Sequence, residues 1–130
     1  MIDHMSLVVS DINVSEEFYR STLAAIGYEL LVQLPASASR PAASRGFGEK
    51  GKPDFWLREG APNHPPIHIA FRANSRELVD AFYEAALKAG GRDNGKPGVR
   101  PHYHASYYGA FVLDPDGHNI EAVCHQPVTG

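Results

Sequence analysis

Met5, Leu7 and Val9 alternate with His4, Ser6 and Val8, a two-residue period that predicts a strand with one apolar and one mixed face. The period then changes. Asp11 and Asn13 are helix N-terminal signals, Val14, Phe18, Leu23 and Ile26 fall roughly along one helical stripe, and Gly27 sits where a C-cap glycine belongs. A shift of 64 residues repeats this pattern without a gap: His4 falls on His68, Phe18-Tyr19 on Phe82-Tyr83, Leu23 on Leu87, Ala25 on Ala89 and Gly27 on Gly91. In the second copy Ile67, Ile69 and Phe71 alternate with His68, Ala70 and Arg72. Ser75 is the expected N-cap, Leu78, Phe82, Ala86 (or Ala85) and Leu87 form the stripe, and Gly90-Gly91 close it.

Each helix is followed by three extended runs. They are Tyr28–Leu34, about Ser44–Gly48 and Asp54–Arg58 in the first half, then a weak run at Arg92–Lys96 and strong ones at Tyr107–Leu113 and His118–Cys124. Asp114-Pro115-Asp116-Gly117 is a tight-turn sequence that makes the last two a hairpin, and Glu49-Lys50-Gly51-Lys52 is its counterpart. Pro35–Ala43, rich in small residues, serine and proline, predicts a mobile loop. The predicted architecture is α+β, a βαβββ unit repeated in tandem within one domain of residues 1–130. Repeat one spans about 1–58, a linker about 59–66, and repeat two about 67–125. Phe18-Tyr19 and Phe82-Tyr83 are expected in the helix–sheet core.

A chain of 130 residues, 43% hydrophobic and 21% charged, can bury a core without disulfides or a structural metal. The net charge of −3 and the lack of a Lys/Arg cluster speak against nucleic acid as a partner. Cys124 is the only cysteine, no apolar run approaches a membrane span, and no signal peptide is recognisable. A cytoplasmic protein is therefore expected. Seven histidines change the picture, because imidazole is the commonest metal ligand and the near-neutral acid/base.

With helices covering one face of each sheet, the other face carries His4 and Ser6, then His68, Ala70 and Arg72, with Asn119, Glu121 and Val123 on the last strand. By alternation Tyr108 and Ala110 are placed on that face too. Such a surface suits a cup for a polar ligand or an ion better than a sealed core. Two imidazoles and a carboxylate are the donor set of a divalent transition-metal site. The same residues are also compatible with ordinary strand histidines and a solvated glutamate, and periodicity does not choose. His64 and His125 are expected to face solvent, and His118 to end the hairpin.

The stretches IDHMSLVVSD, IHIAFRA and DPDGHNIEAV resemble the three ligand-bearing strands of the vicinal oxygen chelate superfamily. That group holds glyoxalase I, fosfomycin-resistance transferases, extradiol dioxygenases, methylmalonyl-CoA epimerase and metal-free bleomycin-binding proteins. The resemblance covers the whole chain and implies mixed sheets curled into a cup. It carries metal-ligand positions onto His4, His68 and Glu121, for a divalent ion (Zn, Ni, Mn or Fe). The fourth position of some members falls on Trp56, with Asp54 two residues earlier on the same face; an indole cannot ligate a metal. His102 lies upstream of Glu121 at a spacing similar to that of the acid/base histidine of extradiol enzymes. The active-site tyrosine of those enzymes would fall near Phe111. His104 and Tyr108 are the candidates for proton transfer, while Trp56, Arg72 and His102 are expected to line the substrate pocket.

The resemblance implies a metal-dependent enzyme of the glyoxalase-like lyase or isomerase type, working on a small oxygenated substrate. The alternatives are an Fe(II) extradiol-type dioxygenase and a metal-free drug-binding protein. A homodimer is the implied assembly, since similar members complete the cup across a dimer interface.

Overall fold

Both repeats of the computed structural model, which describes residues 1–128, fold into a four-stranded mixed sheet crossed by one helix. The first contains β1 (Met5–Val9), α1 (Ile12–Ala24), β2 (Glu29–Leu34), β3 (Ser44–Glu49) and β4 (Lys52–Glu59). The second contains β5 (His68–Arg72), α2 (Arg76–Lys88), β6 (Arg92–Val99), β7 (Tyr108–Leu113) and β8 (Asn119–Cys124). Strand orders are β1-β4-β3-β2 and β5-β8-β7-β6, with β1 parallel to β4 and β5 parallel to β8. The tandem α+β architecture is as expected. The two sheets are separate and open, so the curled cup does not close within one chain.

Local chemistry accounts for the boundaries. Asp11 Oδ1 accepts from the Asn13 and Val14 amides, and Ser75 Oγ from the Leu78 amide, so each helix begins on a side chain that satisfies its free donors. Lys50 and Gly51 both have positive φ, 53° and 75°, the geometry of a two-residue hairpin turn whose twist matches its strands. At the helix exits the repeat slips by one residue. The left-handed positions are Gly27 (φ 92°) and Gly90 (φ 97°), whereas Gly91 is glycine for a different reason. A Cβ there would lie 2.7 Å from Phe18 Cε2 and 2.9 Å from the Ala86 carbonyl oxygen. Beyond this, β6 is a full strand that keeps pairing to Val99, longer than its polar composition predicts, with irregular register at Gly95 and Gly98.

One continuous core runs through both repeats, from Leu7, Phe18 and Tyr19 to Val79, Phe82 and Ile120. Aromatic contacts stitch the halves together: Phe55 meets Tyr19 at 5.2 Å and Phe71 at 5.2 Å between ring centroids. The Tyr19 hydroxyl donates to Asp114 Oδ2 at 2.5 Å, and both residues are buried. His118, at the end of the hairpin turn as expected, is fully buried, with Nδ1 accepting from the Ile67 amide. The Asp114 carboxylate explains this, because its Oδ1 accepts from the Asp116 and His118 amides and draws the turn inward. No helix among the described residues is long and apolar enough to cross a membrane.

Candidate metal centre

Because β8 lies between β5 and β7, Glu121 is flanked by Ala70 on one side and Phe111 on the other. Its side chain points away from α2, yet it is 1% exposed. His68 Nε2 lies 2.7 Å from Glu121 Oε1, and the Tyr107 hydroxyl donates to Oε2. Gly109 leaves the space this requires, since a Cβ there would come within 3.2 Å of Oε2 and of the Tyr107 ring. The Phe111 ring closes another side, 6.0 Å from the His68 ring centroid. Burial first, then the hydrogen bond to Glu121, push the Tyr107 hydroxyl well above the usual phenol range, so it stays a donor.

The residue after Tyr107 points the other way. Tyr108 donates to Asp80 Oδ1 of α2 at 2.7 Å and stacks under Arg76, which corrects its placement on the open face. Burial followed by that hydrogen bond raises the Tyr108 hydroxyl to about 12. The correction follows from register. Leu113 pairs with Asn119 across the turn, so Phe111 pairs with Glu121, and Gly109 and Tyr107 share their face. Counting back from Asp114-Pro115-Asp116-Gly117 would have found Tyr107; alternation read from the Tyr-Tyr-Gly-Ala run misassigned the parity.

Trp56 sits on the other sheet, and His4 immediately precedes its strand β1. Ser6 pairs with Trp56 as Ala70 pairs with Glu121, so Trp56 and Glu121 are equivalent positions. The indole lies over Gly46, where a Cβ would approach Trp56 Cη2 to 2.9 Å. Together with Asp3, His4, Ser6, Lys52 and Pro53 it lines an open recess of ≈ 440 Å³. His4 is exposed, its Nδ1 2.7 Å from Asp3 Oδ1. Among the described residues, no three His, Cys, Asp or Glu side chains converge to hold a metal ion. Within one chain His4 bonds instead to Asp3, and the structure brings His68 and Glu121 together.

That pair fits two positions of a divalent-metal site on chemical grounds. A neutral imidazole nitrogen and a carboxylate are ordinary donors to such ions, and an ion would offset the cost of burying Glu121 among neutral groups. The other predicted residues lie around it. Arg72, exposed at the end of β5, shares the His68 side of the strand by alternation. His102 is an exposed loop residue whose ring lies tilted against Tyr103, 4.3 Å between centroids. His104 Nε2 lies 2.8 Å from His125 Nδ1, and its ring is 5.4 Å from Tyr107. His125 is exposed, as expected of the tail, and has His104 as its partner there. Neither Trp56 nor His4 bonds to Glu121, while Tyr107 and Phe111 lie beside it and Arg100 packs on Phe111.

Comparison with known proteins bears on this geometry. The profile of the Glyoxalase/Bleomycin resistance protein/Dioxygenase superfamily matches residues 1–122. A glyoxalase/bleomycin resistance protein from Albidiferax ferrireducens is 26% identical, with 96% of this chain and 98% of that one covered and a TM-score of 0.71. The fosfomycin resistance protein FosX of Listeria monocytogenes, solved with Mn(II) and 1S,2S-dihydroxypropylphosphonic acid, shares the fold at 22% identity. The match covers 95% of this chain and 88% of that one, with a TM-score of 0.68. Glyoxalase I from Zea mays shares it at 21% identity, with 94% of this chain and 46% of that one covered and a TM-score of 0.70. No curated protein sequence matches the chain.

Proposed function

Because this chain belongs to the Glyoxalase/Bleomycin resistance protein/Dioxygenase superfamily, we propose that it is a divalent-metal-dependent enzyme of the glyoxalase-like lyase or isomerase type. The observation that carries this reading is the contact of His68 Nε2 with Glu121 Oε1 on a carboxylate that is itself buried. His68 and Glu121 of one chain, with His4 of a second copy, would hold the ion; a homodimer therefore completes the site. The ion, when bound, supplies Lewis acidity to adjacent oxygens of a small substrate.

The chain's own residues supply the rest. Tyr107 holds Oε2 and so fixes how Glu121 presents Oε1, as outer hydrogen bonds commonly orient a ligand. Phe111 walls the site with apolar surface, which limits water beside the carboxylate. His104 retains a proton-transfer role by proximity: its ring packs on Tyr107, and its Nδ1 accepts from the Ser106 amide, which leaves the proton on Nε2.

A second reading, a metal-free small-molecule binder, is favoured by one observation, the Trp56 indole over Gly46 in an open recess. Metal analysis separates the two. Protein prepared without added metal or chelator is expected to carry a divalent ion that His68→Ala, Glu121→Gln and His4→Ala each release. Less than about a tenth of an equivalent in the unmutated protein, with no uptake on titration of Zn, Ni, Mn or Fe(II), would leave the binder reading standing.

A further inference from the structure

β6 breaks its pairing with β7 twice, between Asp93 and Gly95 and between Gly95 and Gly98, and both irregularities accommodate the same side chain. Arg100 Nη1 donates to the Gly98 carbonyl at 2.8 Å and Nη2 to the Lys96 carbonyl at 2.7 Å. Its guanidinium carbon lies over the Phe111 ring, 5.4 Å from the centroid. A Cβ on Gly98 would come within 3.1 Å of Nη1. One on Gly95 would come within 3.3 Å of Nη2 and 2.9 Å of Phe111 Cδ1. Two glycines and two carbonyls therefore place a half-buried cation on one aromatic ring.

The two carbonyls orient this cation without neutralising it. They use one N–H on each Nη, which leaves Nε–H and one further N–H on each Nη free of those bonds. Among the described residues no carboxylate lies within ion-pair distance of Arg100. Phe111 touches both the guanidinium and His68, so Arg100 stands one aromatic ring away from the His68–Glu121 pair. In a chain of net charge −3, an unpaired guanidinium fixed at such a place is a feature that a neutral ligand would not need.

We propose that Arg100 is the anion-recognising residue of the His68–Glu121 site, and that the molecule bound there carries an oxyanion, a carboxylate or a phosphate, taken by the free N–H groups of the guanidinium. The inference rests on the reading of that pair as the binding site and adds the charge of the substrate to it. Arg72, exposed and held by no carboxylate among the described residues, assists at longer range and is not the determinant. A fixed fork gives bidentate recognition of planar or tetrahedral oxyanions, which a mobile ammonium does not reproduce.

The test uses metal-stripped, full-length protein, so that it stays readable whether or not a metal binds. Benzoate, inorganic phosphate and the neutral control benzyl alcohol are titrated while the 15N Nε–Hε signal of Arg100 is followed, assigned by its loss in Arg100→Ala. At least one anion is expected to shift the signal saturably and benzyl alcohol is not; the tighter of benzoate and phosphate identifies the oxyanion. Calorimetry with the same probes is expected to show at least tenfold weaker anion binding in both Arg100→Ala and Arg100→Lys, and less than threefold weakening in Arg72→Ala. No saturable shift with either anion, or equal anion affinity in Arg100→Ala and the unmutated protein, would overturn the proposal. Anion binding at Arg100 in a protein that carries no divalent ion before stripping and takes none up on titration would instead count against the metal reading alone.

Discussion

Trp56 stands on β4 where Glu121 stands on β8, each paired with the residue two places after its strand's histidine, Ser6 in one case and Ala70 in the other. Their antiparallel neighbours exchange size in step, Gly46 beside Trp56 and Phe111 beside Glu121. The first repeat therefore offers an aromatic platform and the second a carboxylate framed by aromatics. Duplication has kept the backbone and divided the chemistry.

This division predicts that a metal site forms between copies. His4→Ala and Glu121→Gln chains, each refolded alone, are expected to hold little metal. Refolded together in equal amounts they should regain about a quarter of the wild-type content, because half the dimers are mixed and each mixed dimer has one intact set. Plasma emission analysis of the dimer fraction reads the result, and an unrecovered mixture would place the site within one chain.

The opposite directions of two adjacent tyrosines separate a positioning role from a structural one. Tyr107→Phe frees Glu121 Oε2 and is expected to weaken metal affinity by about tenfold with little change in melting temperature. Tyr108→Phe loses the bond to Asp80 and should cost about 1 kcal/mol of stability while leaving metal affinity unchanged. Metal titration and thermal denaturation of both variants give the comparison.

Alkaline stability should report Tyr19. Burial, followed by the nearby Asp114 carboxylate, holds its hydroxyl well above 10, so the native state keeps a proton that the unfolded chain releases first. The contribution is fully present below about pH 10 and is lost as pH rises through the native value. Urea denaturation is expected to show stability falling above about pH 10, with a shallower fall in Tyr19→Phe. A slope unchanged by Tyr19→Phe would assign the effect to other groups.

Two glycines at equivalent helix exits should fail for different reasons. Gly91→Ala drives a methyl into Phe18 and the Ala86 carbonyl, costing about 1–3 kcal/mol, and Phe18→Leu in the same chain should recover part of it. Gly27→Ala meets nothing within 4 Å but must hold φ near 92°, a strain of about 1–2 kcal/mol that Phe18→Leu cannot relieve. A double-mutant cycle in urea measures the difference.

Much of the molecule was readable from local pattern. Alternation, caps and turn residues placed every strand and both helices, and the family resemblance pointed to Trp56 as the fourth ligand position, which strand pairing makes equivalent to Glu121. Tyr107 was readable too, by counting from the turn, but the mixed Tyr-Tyr-Gly-Ala run obscured which face it occupied. Arg100 was not. Its place depends on two bulges in β6 whose polar composition hardly signals a strand.

Periodicity along the chain determined which residues share a face within each element, because a strand or helix dictates side-chain direction from its own backbone geometry. It could not determine how the two repeats sit against each other. That was decided by packing between distant residues: Phe18 against Gly91, Phe55 against Phe71, and Tyr19 bonded to Asp114 across 95 positions. Those contacts bury aromatic surface between the repeats, and they leave His4 just before β1 of one sheet while His68 joins Glu121 on the other.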